Sequence, residues 1–457
     1  MPNTFAYLMI ALWPLVALLI WSRMDAARAL VWTILGGYLL LPPLTAFDFP
    51  LVPNFDKDSV PALSALLCAW FIKRDSVSFD PGTSTGRLLI ALFVLSPFVT
   101  VLTNGDPVPI HAGDLPGMRL YDSVASVADQ VIVLMPMFLA RRYLGSPEAL
   151  RLLTGLMVLA GLLYSLPMLL EVRLSPQLNI WIYGFFQHDF AQTIRDGGFR
   201  PFVFLSHGLW VAFFTLMALV AALVAFRAEP VGRGKALAIA GYLTVVLVLC
   251  KSAGVMVYAA GLAPLVLLVG VRLQLMVAAA LALVVVIYPL LRGLHLVPLE
   301  AILDYARSVS VERAASLSFR ITNEEALLTR AAERPWFGWG GYGRGLIRDP
   351  VSGNIWTIPD GAWIIVLGIH GWLGYIAKFG LIALPLLHLG VAALGQSVKP
   401  LSRYAAALAL ILAANMVDML PNATEIPFTW LMVGALIGYA EKLRPVEMVK
   451  PVQRTVI

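Results

Sequence analysis

Charged residues are scarce in this sequence. Asp, Glu, Lys and Arg make up 13% of its 457 residues, whereas about 25% is usual in soluble domains. Cysteine is rarer still, since only Cys68 and Cys250 occur and both lie in apolar runs. These two positions exclude a disulfide framework and a cysteine-based metal site. The shortage of charge, with a mean hydropathy of +0.82, indicates that lipid surrounds most of the chain.

Apolar runs recur along the whole chain. Hydrophobic residues make up 60% of it, and a helix of about 20 residues crosses a membrane. Because the runs are not confined to the start, a cleaved signal peptide does not account for them. They predict an all-α fold, a polytopic membrane helix bundle of about 12–14 transmembrane helices. The candidate spans are 4–22, 28–43, 60–72, 87–103, 122–140, 150–170, 201–226, 234–250, 253–270, 273–291, 372–394, 403–420 and 426–441.

Basic residues are unevenly distributed among the connecting loops. By the positive-inside rule, the short loops that carry them are cytoplasmic. The rule places the N-terminus outside and the C-terminal tail, residues 442–457, in the cytoplasm. The basic residues of these short loops are Arg23, Arg28, Lys73, Arg74, Arg141, Arg142, Arg227, Arg233, Lys235, Lys399 and Arg403.

Two segments on the outer side break this distribution. Residues 171–200 carry three arginines and residues 292–360 carry eight. Orientation does not require arginine there, so another role is expected. The chain thus divides into an N-terminal transmembrane bundle (1–291, with the periplasmic loop 171–200), a periplasmic loop region (292–360), C-terminal transmembrane helices (361–441) and the cytoplasmic tail (442–457).

The outer arginines suit an anionic ligand. Arginine presents a planar fork that grips phosphate bidentately and stays charged, so a lipid headgroup or a lipid-linked diphosphate would fit. The alternative is an ordinary solvated helical surface of exposed ion pairs. Helix-forming residues at 312–334 indicate that this large loop is partly helical. Its acidic residues available for pairing are Glu300, Asp304, Glu312, Glu324, Glu325, Glu333 and Asp349.

A glycine-rich and aromatic stretch, PWFGWGGYGRG, follows at 335–345. Glycine permits turns and close backbone approach, and aromatic rings can stack against sugars. Trp336, Trp339 and Tyr342 are therefore candidate glycan contacts. For Trp336 and Trp339, an aromatic belt at the membrane interface is the alternative.

These features together resemble the O-antigen ligase and polymerase family of bacterial membrane glycosyltransferases. The resemblance rests on the many-span layout, on Arg320 upstream of residues 335–343, and on DGAWIIVLGIHGWLGYIAKFGL at 360–381. It implies an active face on the periplasmic side of the bacterial inner membrane. It also implies transfer of a glycan from an undecaprenyl diphosphate carrier without a metal, with Arg320 binding the diphosphate.

Two positions depart from the family pattern. Lys251, in LCKSAG at 249–254, resembles the basic residue of a Ser-Arg element, but lysine lacks the bidentate fork. Asp360 stands where ligases usually carry a His-Asn pair, which favours a polymerase. A buried aspartate can act as a general base toward a sugar hydroxyl, although Asp360 also fits a helix N-cap. His370 is the alternative base, or a packed, hydrogen-bonded residue.

The other outer loop supplies more basic candidates. Arg195 and Arg200 flank Gly197 and Gly198, an arrangement suited to wrapping an anion, with a plain glycine turn as the alternative. The expected diphosphate-binding residues are thus Arg320, Lys251, Arg200 and Arg195. Three charged residues lie within spans and are expected to face the protein interior, namely Asp129, Lys378 and Asp418.

We expect an integral-membrane glycosyltransferase that polymerises undecaprenyl-diphosphate-linked repeat units of an exopolysaccharide or O-antigen at the periplasmic face. The alternatives are an O-antigen ligase acting on lipid A core, a polysaccharide transporter or flippase, and an export-complex subunit. Expected partners are the lipid-linked glycan and membrane lipid, with a chain-length regulator and export proteins as further candidates. The sequence has no phosphate-binding loop, dinucleotide fingerprint or metal-ligand spacing, so no cofactor, metal or nucleic acid is expected.

Overall fold

The computed structural model describes residues 1–443 except 50–51, 111–112, 196, 350 and 396–399, and it leaves the side chains of residues 309, 312 and 313 undescribed. The predicted tail beyond residue 443 and Lys399 therefore lie outside the described residues. Two short antiparallel hairpins pair β1 (Ala46–Phe47) with β2 (Phe55–Asp56) and β3 (Ile194–Arg195) with β4 (Gly198–Phe199). The described residues otherwise form sixteen α-helices: α1 (Thr4–Arg23), α2 (Ala26–Leu40), α3 (Ser59–Phe71), α4 (Ser84–Leu102), α5 (Leu120–Tyr143), α6 (Pro147–Leu174), α7 (Leu178–Tyr183), α8 (Gly208–Ala228), α9 (Arg233–Leu249), α10 (Ala253–Leu268), α11 (Val271–Gly293), α12 (Leu299–Val309), α13 (Val311–Ala332), α14 (Ala362–Leu394), α15 (Arg403–Asp418) and α16 (Pro427–Lys442).

The helices confirm the predicted all-α, polytopic membrane bundle. Seven of those described are long and apolar enough to cross a membrane: α1, α4, α5, α6, α8, α11 and α14. Three shorter apolar helices, α2, α3 and α10, belong to the same bundle. The total of 12–14 spans stays a prediction. The large loop is partly helical, as expected, because α13 covers most of residues 312–334.

Loops that were predicted to share a membrane face contact one another. At one end of the bundle, Arg141 pairs with Glu441 at 3.0 Å. At the other end, Lys57 Nζ donates to the carbonyl of Phe204 at 3.0 Å, over a sequence separation of 147 residues. These contacts bring together loops that were predicted to share a face of the membrane, and the topology itself stays a prediction.

The predicted span at 201–226 begins later than expected. Helix α8 starts at Gly208, and residues 201–205 are buried in extended or turn conformation. The Glu171 carboxylate, near the end of α6, accepts the N–H groups of Phe202 and Val203 at 2.8 and 2.7 Å. Hydropathy marked this segment as membrane because it is apolar and buried, but its backbone is satisfied by a side chain instead of a helix.

Helix α14 also differs from its prediction, since it begins ten residues before the expected start at 372. It is broken at Gly371, whose φ of 65° and ψ of −168° lie outside the helical region. Glycine permits this conformation because it has no side chain. The break leaves backbone groups without helical partners, and at membrane depth such groups need other protein partners.

Residues 335–340 supply those partners. A Cβ added at Gly338 would lie 2.5 Å from the Ile369 carbonyl carbon, and one added at Gly371 would lie 2.4 Å from that of Trp336. The glycines therefore allow the two backbones to touch. The backbone hydrogen bonds across the break are Trp372 N–H to Pro335 at 2.7 Å, Leu373 to Trp336 at 3.2 Å, Trp339 to Gly368 at 2.8 Å and Gly340 to Ile369 at 2.9 Å.

Candidate functional site

Arg320 lies on α13 and reaches the connection between α15 and α16. Its Nε is 3.3 Å from Asp360 Oδ2. Its Nη1 donates to the Pro421 carbonyl and to Asn422 Oδ1, both at 3.2 Å. The side chains of Arg320 and Asp360 are 36% and 32% exposed, so a ligand can approach both. The structure thus brings together the predicted anion-binding arginine and the predicted base.

Asp360 does not cap the following helix. The N-cap of α14 is Gly361, and no side chain caps that helix end. The Ala362 N–H donates instead to the Asn422 carbonyl at 3.1 Å. The N-cap alternative is therefore wrong, because the helix begins one residue later than a capping Asp360 would require. Asn422 is oriented in turn by Asp418, whose Oδ1 accepts its Nδ2 at 3.1 Å.

The β3–β4 hairpin and the turn between α9 and α10 hold a second basic group. Arg195 pairs with Gly198 across the hairpin, and Gly197 has a φ of 70°. Gly197 has the left-handed conformation that a glycine turn needs, and anion binding by this hairpin stays a prediction. Lys251 Nζ donates to the Arg195 carbonyl at 2.8 Å. Lys251 thus fastens the hairpin to the bundle while it adds its own positive charge.

Arg200 follows β4 and is 5% exposed. Its guanidinium packs against Gly208, where an added Cβ would lie 2.6 Å from Nε. Among the described residues, Nε has no hydrogen-bond partner. Burial, and then the charge of Arg195, lowers the pKa of Arg200 to about 10, so the group stays charged at neutral pH. A buried cation in this state favours the approach of an anion.

His207 lies at the start of α8, near the positive charges of Arg195, Arg200 and Arg320. It caps α8, since its Nδ1 accepts the Leu209 N–H at 3.0 Å. Because Nδ1 is an acceptor, the imidazole is neutral here. Burial is the main cause that lowers the pKa of His207 to about 3, and positive charges add to the effect, in the order Arg200, His188, Arg195 and Arg320. Both basic groups therefore lie within electrostatic range of one imidazole.

Glu324 was expected only as an ion-pair partner. It lies one helical turn after Arg320 and is 7% exposed. Its Oε1 accepts the Trp363 indole N–H at 3.3 Å, and its Oε2 is 3.8 Å from Arg292. Burial raises the pKa of Glu324 to about 7, against the effects of Trp363 and Arg292. The sequence indicates that Glu324 lies beside Arg320, because it follows Arg320 by four residues and residues i and i+4 share a helix face.

Several outer arginines follow the alternative of ordinary pairing. Arg307 pairs with Asp304 at 2.7 Å, and Arg330 pairs with Glu333 at 2.5 Å. Arg344 is 1% exposed and is held by backbone carbonyls. These arginines contribute to the structure of the loop and are not part of the basic site.

The three predicted glycan contacts differ in their surroundings. Trp339 is 7% exposed, and the guanidinium carbons of Arg330 and Arg334 lie 3.5 and 4.6 Å from its ring centre. Trp339 is therefore largely enclosed, and its role in glycan contact stays a prediction. Trp336 and Tyr342 are 62% and 59% exposed, and both rings remain accessible.

Two neighbouring cavities open at this end of the bundle. The larger has a volume of about 810 Å³ and lies among α3, α5, α16 and the loop before α3. The smaller, of about 300 Å³, is lined in part by His370. His370 Nδ1 has no partner within the described chain. His370 lies eight residues into α14, about 12 Å from the helix start beside Asp360. The two predicted bases therefore face different spaces.

The charged residues predicted within spans differ in burial, since Asp129 is exposed and Lys378 is half-buried. Lys378 pairs with Glu425, Asp418 is 1% exposed, and Asp129 lines both cavities.

No family model matches this chain, and no curated protein matches it at a significant level. The site itself offers anion binding by arginine, a carboxylate base beside it, and neighbouring space for a polar ligand.

Proposed function

We propose that this protein is an integral-membrane glycosyltransferase that polymerises undecaprenyl-diphosphate-linked repeat units at the periplasmic face of the bacterial inner membrane. The observation that supports the proposal most is the ion pair of Arg320 with Asp360 at 3.3 Å, in which both side chains are partly exposed. Arg200 adds a buried cation that has no carboxylate beside it among the residues described. A diphosphate supplies the missing negative charge and is the leaving group that such a reaction needs.

The proposed reaction needs one base and a stabilised leaving group. The acceptor hydroxyl oxygen attacks the anomeric carbon of the donor sugar, and a new carbon–oxygen bond forms. The bond between that carbon and the diphosphate oxygen breaks, and the diphosphate leaves on its lipid carrier. The hydroxyl proton passes to the Asp360 carboxylate. Arg320 and Arg200 stabilise the negative charge that develops on the diphosphate.

Asp360 fits the role of base better than His370. Its Oδ2 is 3.3 Å from Arg320 Nε, so it lies where the arginine would hold a diphosphate. His370 lines the smaller cavity, on the far side of the helix start. A diphosphate that engages Arg320 would also compete with Asp360 for the guanidinium. Donor binding would thereby free the carboxylate to accept the proton.

The proposal is tested by complementation of a deletion strain with wild type, Arg320→Ala and Asp360→Ala. Arg307→Ala is the matched control, since Arg307 lies in the same loop, is 62% exposed and pairs only with a neighbouring carboxylate. Lipid-linked and released glycans are compared at equal protein levels in the membrane. We expect single repeat units to accumulate on the carrier in both site variants, while the control makes polymer as wild type does.

Other outcomes separate the alternatives. Polymer that persists but no longer reaches lipid A core would support a ligase. Glycans unchanged in both site variants would contradict the proposal. If the protein is a subunit of an export complex, both single substitutions should leave polymerisation unchanged. Only the transport of finished polymer should be lost.

One observation favours the transporter alternative. Helix α14 is broken at Gly371, and broken helices form substrate sites in many transporters. The accumulated repeat units decide between the two functions, since a flippase defect leaves them on the cytoplasmic face. In spheroplasts of the Arg320→Ala strain, a membrane-impermeant lectin should therefore bind them if the protein is a polymerase, and should not bind them if it is a flippase.

A further inference from the structure

The larger cavity is acidic, in contrast to the basic site beside it. Its walls carry one ammonium group, that of Lys378, and that group pairs with Glu425. A diphosphate would be repelled here. The carboxylates that line the cavity are Asp48, Asp56, Asp58, Asp129 and Glu425.

Aromatic rings line the larger cavity, and its wall extends along α5. Tyr121 and Tyr342 lie on its wall with Trp430, whose indole N–H donates to Glu425 Oε1 at 2.8 Å. The wall follows α5 from Tyr121 to Pro136, which is about 22 Å of helix. Carboxylate acceptors beside aromatic faces suit sugar rings, which have hydroxyl donors and apolar faces. The volume of about 810 Å³ lies within the usual range of small-ligand sites, about 300–1,000 Å³.

A second observation points to a polar ligand. The smaller cavity shares Ala125, Asp129 and Tyr342 with the larger one. Gln130 lines the smaller cavity and is 7% exposed, and its Oε1 has no hydrogen-bond partner within the described residues. A buried amide oxygen without a donor is costly. Rotation of the Gln130 amide would turn this oxygen toward the smaller cavity, where a hydroxyl or amino group of a ligand would satisfy it.

The cavity adjoins the basic site through the segment between α15 and α16. Asn422 contacts Arg320 at 3.2 Å, and Glu425 lines the cavity. Three residues of chain can span at most about 11 Å. The segment between α15 and α16 therefore contributes to both sites.

We propose that this acidic cavity binds the acceptor glycan and selects uncharged or amino-bearing sugars against acidic ones. The assignment of the bound glycan as the acceptor rests on the proposed function. The binding of sugars in the cavity does not depend on it. The carboxylates accept hydrogen bonds from hydroxyl and ammonium groups and repel uronate and phosphate groups. Donor and acceptor thus occupy neighbouring sites of opposite charge.

Binding is measured on the purified full chain in nanodiscs with three trisaccharides as probes: chitotriose, which is uncharged, its fully deacetylated form, which is cationic, and trigalacturonate, which is anionic. We expect the first two to bind and the third to bind at least about 10-fold more weakly. Asp129→Asn should weaken the cationic probe about 10-fold, because the carboxylate charge that attracts an ammonium group is lost. The uncharged probe should change less.

Steric variants locate the binding site. Ala125→Trp fills the wall shared by the two cavities and should weaken both bound probes. Val124→Trp is the matched control, since Val124 is the preceding residue of α5 and is 54% exposed. Three results overturn the inference: equal binding of trigalacturonate, equal binding by the two tryptophan variants, or no binding of any probe by a monodisperse protein.

The same variants in cells separate this inference from the proposed function. If both are correct, Ala125→Trp and Arg320→Ala each stop polymer formation, and Val124→Trp does not. If only the acceptor assignment fails, Arg320→Ala stops polymer and Ala125→Trp does not. If the proposed function fails, Arg320→Ala does not leave single repeat units on the periplasmic face, whatever the probes show in nanodiscs.

Discussion

The protonation of Glu324 makes the stability of the outer loop region depend on pH. Burial raises its pKa from the ordinary value of 4.5 to about 7. Because the folded protein binds this proton more tightly than the unfolded chain does, the stabilisation is complete below about pH 4.5 and is lost as the pH rises through about 7. At about 1.4 kcal/mol per pKa unit, the loss amounts to about 3 kcal/mol.

Glu324→Gln removes this dependence while keeping an acceptor for the Trp363 indole. We expect equal thermal stability of variant and wild type near pH 5, and a more stable variant near pH 8. The assay is thermal unfolding in nanodiscs, followed by tryptophan fluorescence from pH 5 to 8. Glu325→Gln is the matched control, because Glu325 is 49% exposed and contacts the same Arg292 at 3.2 Å. Parallel pH curves for wild type and Glu324→Gln would refute the reasoning.

Two further substitutions test the packing of the loop region. Gly338→Ala should lower the melting temperature and reduce activity, because Gly338 has a φ of 69° and its Cβ would lie 2.5 Å from Ile369; Gly341→Ala, with no atom within 4 Å of its Cβ, should resemble wild type. Arg344→Met should cost about 3 kcal/mol or more, since three backbone carbonyls lose their donor at about 1–3 kcal/mol each if they stay buried. Arg307→Met is its exposed control, and an unchanged melting temperature for Arg344→Met would contradict the structural role of Arg344.

Most helix positions were predictable because apolar runs and their polar boundaries report directly on burial in lipid. The first span was predicted at 4–22, and α1 covers Thr4–Arg23. Prediction was wrong where apolar residues are buried without forming a helix, as at 201–205. It also placed the start of this span at 372, although α14 begins at Ala362, because the pairing of the break at Gly371 with residues 335–340 joins distant parts of the chain.

The candidate site was predictable in its residue types but not in its geometry. The resemblance to a glycosyltransferase family indicated Arg320 and Asp360 as site residues. Their contact depends on the fold, as does the hydrogen bond from Arg320 to Asn422 over 102 residues. The raised pKa of Glu324 depends on burial beside Trp363, 39 residues away. Such effects arise from packing, and no local pattern in the sequence encodes them.

The central claim is that the basic site holds a lipid-linked diphosphate during glycan transfer. The most direct test reconstitutes the purified protein in liposomes with single lipid-linked repeat units isolated from the deletion strain. Gel analysis of the glycans then follows chain growth over time. The account predicts a ladder of longer glycans with wild type and with Arg307→Ala, and single units with Arg320→Ala. If folded wild-type protein leaves only single units, or if Arg320→Ala makes the same ladder, the claim is contradicted.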